Sequence, residues 1–442
     1  MKTLTYSENV TNPSCANDSI FLQRMQLKKA AGSRVYCDHG QAYIDLSFCA
    51  TNNILGHNIQ AVQQAIRDSY GAQPQCSAHL LETSSHRDLQ NNLANILPNQ
   101  HFPYFMSSHE SVAMDMALKL AYTYWNTHGE KQRVSHLALA HSYHGSSFGT
   151  LGLNATLPGF DVFRPAAATC EHIPFPHTWL EDAQVEQKEK IAYDRLASYL
   201  SENASTVSAL IIEPMLQSLG GMHLCRPAFL SQVVELVHSY GILIIADERF
   251  TALLRCGSLF ASNLLAIEPD IIVLGSSLTN GCFPFGVTSL SKRLSDSLDV
   301  QLNDPHFLEL HGYNAHNASI YAASATLKQI NTATMSDHVR QLHFVHEKRL
   351  RALTQRLIVE KARFIGTVAA FDFVCEKHNL KFQLTSWFQD ACAKERILVQ
   401  CRGQTVYLIP PLCLSVKDLE HIYDSIEKII ASVPLAYITA CS

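Results

Sequence analysis

The chain has 442 residues, 47% of them hydrophobic and 17% charged, which excludes a disordered polymer and suits a large domain with a smaller companion. Its 34 Lys and Arg against 39 Asp and Glu give a formal charge of −5 with no basic run, so nucleic-acid binding has no support. No stretch approaches the ~20 consecutive apolar residues of a membrane span, and residues 1–9 hold no apolar leader, so a cytoplasmic protein is expected.

The thirteen cysteines are scattered, odd in number and without a CxxC pair, which fits reduced thiols and signals no zinc site. His306, His311 and His316 recur every five residues, a spacing that matches neither a helix face nor a strand face, so no metal is expected there.

In chain order, strand-like residues 34–38 and 42–46 flank the turn His39-Gly40-Gln41 and predict a hairpin. Over residues 58–69, Ile59, Val62, Ala65 and Ile66 are spaced by three and four, which predicts a helix. Between about 100 and 290, apolar runs of strand length (136–140, 209–214, 242–247, 271–274) alternate with amphipathic segments such as 229–238. Runs apolar at every position suit strands covered on both faces. The pattern predicts an α/β fold with a mostly parallel, doubly wound sheet. Beyond about 330 come a long charged helix over 337–359, further strands and a terminal helix over 416–431, predicting a smaller α+β domain. The expected division is 1–58 as the N-terminal part of the small domain, 59–330 as the large domain and 331–442 as the C-terminal part of the small domain.

Several strand ends carry chemistry. Asp247 closes the apolar run before Glu248 and Arg249, at the edge of the sheet where ligands lie in such folds; it reads equally well as a structural acid. Tyr143 and His144 follow the strand ending near Ala140, where a ring can stack on a flat ligand or simply pack. Residues 107–121 open a helix, with Val112, Met116, Leu120 and Tyr124 on one face. Its start reads as an anion site or as an ordinary end capped by Ser107 or Ser108, with Glu110 in the first turn. The turn-rich stretch 275–281 has no nucleophile-elbow pattern around Ser276.

Taken together and in this order, these segments resemble the class III aminotransferases, which are fold-type I pyridoxal-phosphate enzymes, and within that family its biotin-synthesis branch. The residues that carry the resemblance are Ser111-Val112-Ala113 through Tyr124-Trp125, Tyr143-His144-Gly145, Ile211-Ile212-Glu213-Pro214, the run from Gly241 to Glu248, Arg255, Gly257, Glu268-Pro269-Asp270-Ile271 and Tyr407-Leu408-Ile409-Pro410-Pro411.

The resemblance implies a homodimer with pyridoxal phosphate between the two domains and the partner subunit. Asp247 would face the pyridine nitrogen, Tyr143 and His144 would lie by the ring, and Glu213 would belong to the same pocket. It also implies departures. Ser276 stands where the family's Schiff-base lysine is expected, and a hydroxyl forms no Schiff base. His109-Glu110-Ser111 replaces a Ser-Gly-Ser/Thr phosphate cradle; two unit charges about 4 Å apart repel by roughly 4 kcal/mol at an effective dielectric near 20, so Glu110 acts as a built-in substitute for the phosphate.

Asn314 stands for a phosphate-binding threonine. Gln400 stands for the arginine that grips a substrate carboxylate, with Arg402 two residues on. An aromatic pair is missing near Ala50-Thr51. The expectation is therefore a homologue inactive in transamination that binds a ligand or regulates. The alternative is an active enzyme, either a conventional transaminase with Lys292 as the nearest other lysine, or one of altered chemistry with a noncovalent cofactor.

Overall fold

The computed structural model describes residues 25–46, 52–72, 83–98, 101–154, 162–163, 167–304, 306–307, 315–374 and 378–434. Asn314 with the loop before it, and Ala50-Thr51, lie outside the described residues.

The apolar runs assemble a seven-stranded sheet in the order His101–Ser107, Gly286–Ser291, Ile271–Leu274, Leu243–Asp247, Val207–Ile212, Ser135–Leu139, Cys170–Ile173. From Ile271–Leu274 to Cys170–Ile173 every neighbouring pair is parallel. Gly286–Ser291 runs antiparallel to both of its neighbours. The consecutive apolar residues have a simple cause, because successive side chains point to opposite faces and both faces are covered. Leu210, Ile212 and Ile244 pack with Phe229, Val233 and Val237 of the helix Pro227–Ser239. Ala209, Ile211, Leu243 and Ile245 pack on the other face with Ala113, Ala117 and Leu120 of the helix Glu110–Thr127.

A second sheet of four antiparallel strands, Val359–Ile365, Val368–Phe373, Thr405–Leu408 and Gln400–Arg402, is covered by the helices Ala333–Leu353, His378–Lys394 and Val416–Ala431. The expected hairpin forms from Arg34–Cys37 and Ala42–Asp45. It joins this C-terminal region, since Ile397–Leu398 adds in parallel to Ala42–Asp45 and Arg34 meets Asp418 of the last helix at 2.8 Å.

Two local expectations differ from the structure. The long helix begins at Ala333, capped by the Thr332 side chain, and ends at Leu353 rather than at 359. Its buried face of Val339, Leu342, Val345, Leu350 and Leu353 stops there, and Val359 already pairs with Phe373 as a strand. The helix Glu110–Thr127 is capped by His109, whose Nδ1 accepts the Ser111 N–H at 3.1 Å, and not by Ser107, which is the last residue of a strand, or by Ser108.

Candidate active site

Four carboxyl ends of parallel strands converge on one edge of the sheet. The strand ending at Asp247 lies between those leading to Glu213 and Gly275, and the strand leading to Tyr143 and His144 lies beside the Glu213 strand. Such an edge is where ligands lie in open α/β sheets. A cavity of about 240 Å³ opens there, walled by Asn52, Glu110, Tyr143, Glu213, Ser218, Leu219, Asp247, Arg249 and Phe250.

Asp247 is 2% exposed and fully engaged. Arg249 turns back on it with two parallel bonds, Nε to Oδ1 at 2.6 Å and Nη2 to Oδ2 at 2.6 Å, and adds its backbone N–H to Oδ1 at 3.3 Å. His144, fully buried, bonds Oδ2 through Nδ1 at 2.9 Å, as donor because the ionised carboxylate only accepts. A carboxylate offers about four acceptor positions, and all four here carry a donor from the chain itself. Burial opposes the Asp247 charge, but Arg249 and His144 overcome it and hold the carboxyl well below its usual range. Burial likewise opposes the Arg249 charge, and Asp247, Glu110 and Glu213 raise its pKa.

Glu213 is held by three donors. Oε2 accepts the Tyr143 N–H at 3.1 Å, and Oε1 accepts the Ser218 N–H at 3.0 Å and the Ser218 hydroxyl at 2.7 Å. Burial pushes its carboxyl up, the His144 ring opposes that, and the Asp247 charge adds to it. The Tyr143 ring centre lies 6.0 Å from the Arg249 guanidinium, whose Nη2 also donates to the Tyr143 carbonyl at 3.3 Å.

Glu110 occupies the first turn of its helix, where the dipole favours a negative charge, and its Oε2 accepts the Ser276 N–H at 3.3 Å. The space is tight, since a Cβ on Gly275 would lie 2.9 Å from that oxygen and 3.0 Å from the Arg249 Cβ. Ser276 does not line the cavity. Its Oγ accepts the Phe285 N–H at 3.2 Å and donates to the Phe285 carbonyl at 3.4 Å, closing the loop onto the next strand. Ser111 supports the wall from behind, its Oγ accepting the Ser146 N–H at 3.3 Å beside Gly145, which sits at φ +132°.

Gln400 and Arg402 share the exposed face of their strand, as the period of two requires, with Cys401 turned inward. Arg402 Nη1 donates to the Leu219 carbonyl at 2.9 Å, so it tethers a wall of the cavity. Lys292 opens the helix after the strand Gly286–Ser291 and pairs with Asp296 at 2.7 Å. Gly286 packs against Glu110 at the site end, so the six-residue strand carries Lys292 about 20 Å away.

The sequence reading missed Arg249. The signal was present, because an acid and a base two residues apart at a strand's end project to the same side, but it was weighed only as the end of an apolar run.

The fold agrees with the comparisons. The class-III aminotransferase family model matches residues 16–430, and the chain belongs to that family. Adenosylmethionine-8-amino-7-oxononanoate aminotransferase of Synechococcus elongatus is 30% identical over 414 residues, covering 92% of this chain and 95% of that protein. Among solved structures, a PMP-bound aminotransferase from Vibrio fluvialis superposes with a TM-score of 0.84 at 22% identity over 98% of both chains. The adenosylmethionine-8-amino-7-oxononanoate aminotransferase of Methanocaldococcus jannaschii gives 0.81 at 20% identity, over 92% of this chain and 93% of that one. The fold is that of the fold-type I pyridoxal-phosphate transaminases.

Pyridoxal phosphate is the cofactor expected in this family. The residues present do not fit it as they stand. Asp247 has no acceptor position left for a ring N–H, Glu110 holds the Ser276 N–H beside which a phosphate would sit, and no lysine is among the described residues of the cavity wall.

Proposed function

We propose that this chain is a class III aminotransferase homologue that does not transaminate and instead binds a small ligand or regulates a partner, acting as a cytoplasmic homodimer. The observation that carries the reading is Ser276, whose hydroxyl is spent on the Phe285 backbone at the position where an amine would have to reach into the cavity. Without that amine the chain lacks both the nucleophile and the proton carrier of transamination. The retained groups serve structure: Asp247, His144 and Arg249 form one buried network, and Glu213 ties Tyr143 to Ser218.

Association with a second copy is supported by exposed Phe148, Val162 and Phe163, the two rings in edge contact at 6.0 Å, an apolar surface of the kind that a partner covers. None of the described helices is long and apolar enough to cross a membrane.

The test is spectroscopic. Purified protein is incubated with pyridoxal phosphate and dialysed, and its visible spectrum is recorded before and after borohydride. The expected protein leaves dialysis colourless. A band that borohydride fixes to a lysine contradicts the reading.

A further inference from the structure

We infer that Arg249 and Glu110 are internal occupants of the cofactor subsites, closing the cavity to a pyridoxine-type phosphate whatever residue stands at 276. The inference deepens the proposed function by naming what excludes the cofactor, and it can fail while that function stands.

Three observations carry it. Arg249 is held from two sides, by both Asp247 oxygens and by the Tyr143 carbonyl, so a heterocycle must break a buried ion pair before it meets the carboxylate. The pair is closed without help from Ser276, whose hydroxyl is bonded to Phe285. On the anion side, Glu110 sits on the Ser276 N–H with Gly275 pressed between it and Arg249, so a phosphate approaching that donor meets a carboxylate already on it. Guanidinium on the aspartate and carboxylate at the helix start reproduce the charges of a pyridinium and a phosphate, with the chain supplying both.

Restoring a lysine at 276 would therefore not restore cofactor binding. The probe is pyridoxamine 5′-phosphate, which cannot form a Schiff base with a lysine, so equilibrium dialysis reports the subsites alone. Wild type and Ser276→Lys are expected to bind it equally weakly, and Glu110→Gly/Arg249→Ala at least tenfold more tightly. In that double variant methylguanidinium, which fits the space left on Asp247, is expected to compete with the probe and to raise the melting temperature.

A plain structural pair would show no such competition. Tight binding by wild type or by Ser276→Lys overturns the inference, as does a folded double variant with no gain. Should the double variant fold only with methylguanidinium, the competition is read as its displacement by the probe, and no displacement overturns the inference. Failure here leaves the borohydride result on wild type unchanged, so the two ideas are separable.

Discussion

Asp247→Asn keeps the shape of the Asp247 side chain and removes its charge, leaving the buried Arg249 guanidinium without its bidentate partner and with only Glu110 and Glu213 as nearby acids. Breaking a buried pair in this way costs about 3–5 kcal/mol, and urea denaturation of the variant is expected to show a loss of that size. A loss below about 1 kcal/mol would mean that the guanidinium escapes to solvent and that the pair is not closed. Asp247, Tyr143, Glu213, Glu110 and Ser276 were legible as positions because each follows an apolar run or opens a helix, and strand ends converge in this fold. Arg249 was not, nor was the partner of Arg402, because a long side chain's choice of partner depends on what the fold brings near. Arg249 turns back two residues, whereas Arg402 reaches across the chain to Leu219. His144 reads from the sequence as a ligand contact or as packing, and its ring completes the set of donors on Asp247.

At the scale of elements the strands were plain, since burial on both faces writes a continuous apolar run that no surface helix shares. Helix ends were harder. Residues 354–359 contain no Pro or Gly to stop the expected helix, and the stop comes from tertiary demand, because Val359 is needed opposite Phe373 in the second sheet. The cap on Glu110–Thr127 was misread for a related reason. His109 accepts through a ring nitrogen, which stands outside the usual capping residues, and Ser107 is held in a strand paired with Gly286. The turn that follows the wall residues Ser218 and Leu219 depends on backbone, with Gly220 so close to His141 that a Cβ would lie 2.5 Å from the His141 carbonyl oxygen, and with buried Arg363 donating to the carbonyls of Gly221 and Met222.

Across the whole molecule, pH acts mainly through buried histidines. His136 and His346 are fully buried, and burial lowers their pKa to about 4 and about 3. The unfolded chain therefore binds protons that the native state refuses, and stability is kept above about pH 6.5 and lost as pH falls toward those values. Each of the two is expected to cost roughly 2 kcal/mol at pH 5, measured as a fall in the urea midpoint between pH 7.5 and 5 that His136→Gln and His346→Gln each reduce. A flat profile contradicts that burial.

Asp247, with its pKa depressed, adds a loss only below about pH 4, after the histidines have acted. The most direct test of the central claim is a crystal structure grown with excess pyridoxamine 5′-phosphate. Arg249 is predicted to remain on both oxygens of Asp247, with no ring density above it; a pyridine nitrogen on Asp247 and Arg249 swung aside would contradict the account.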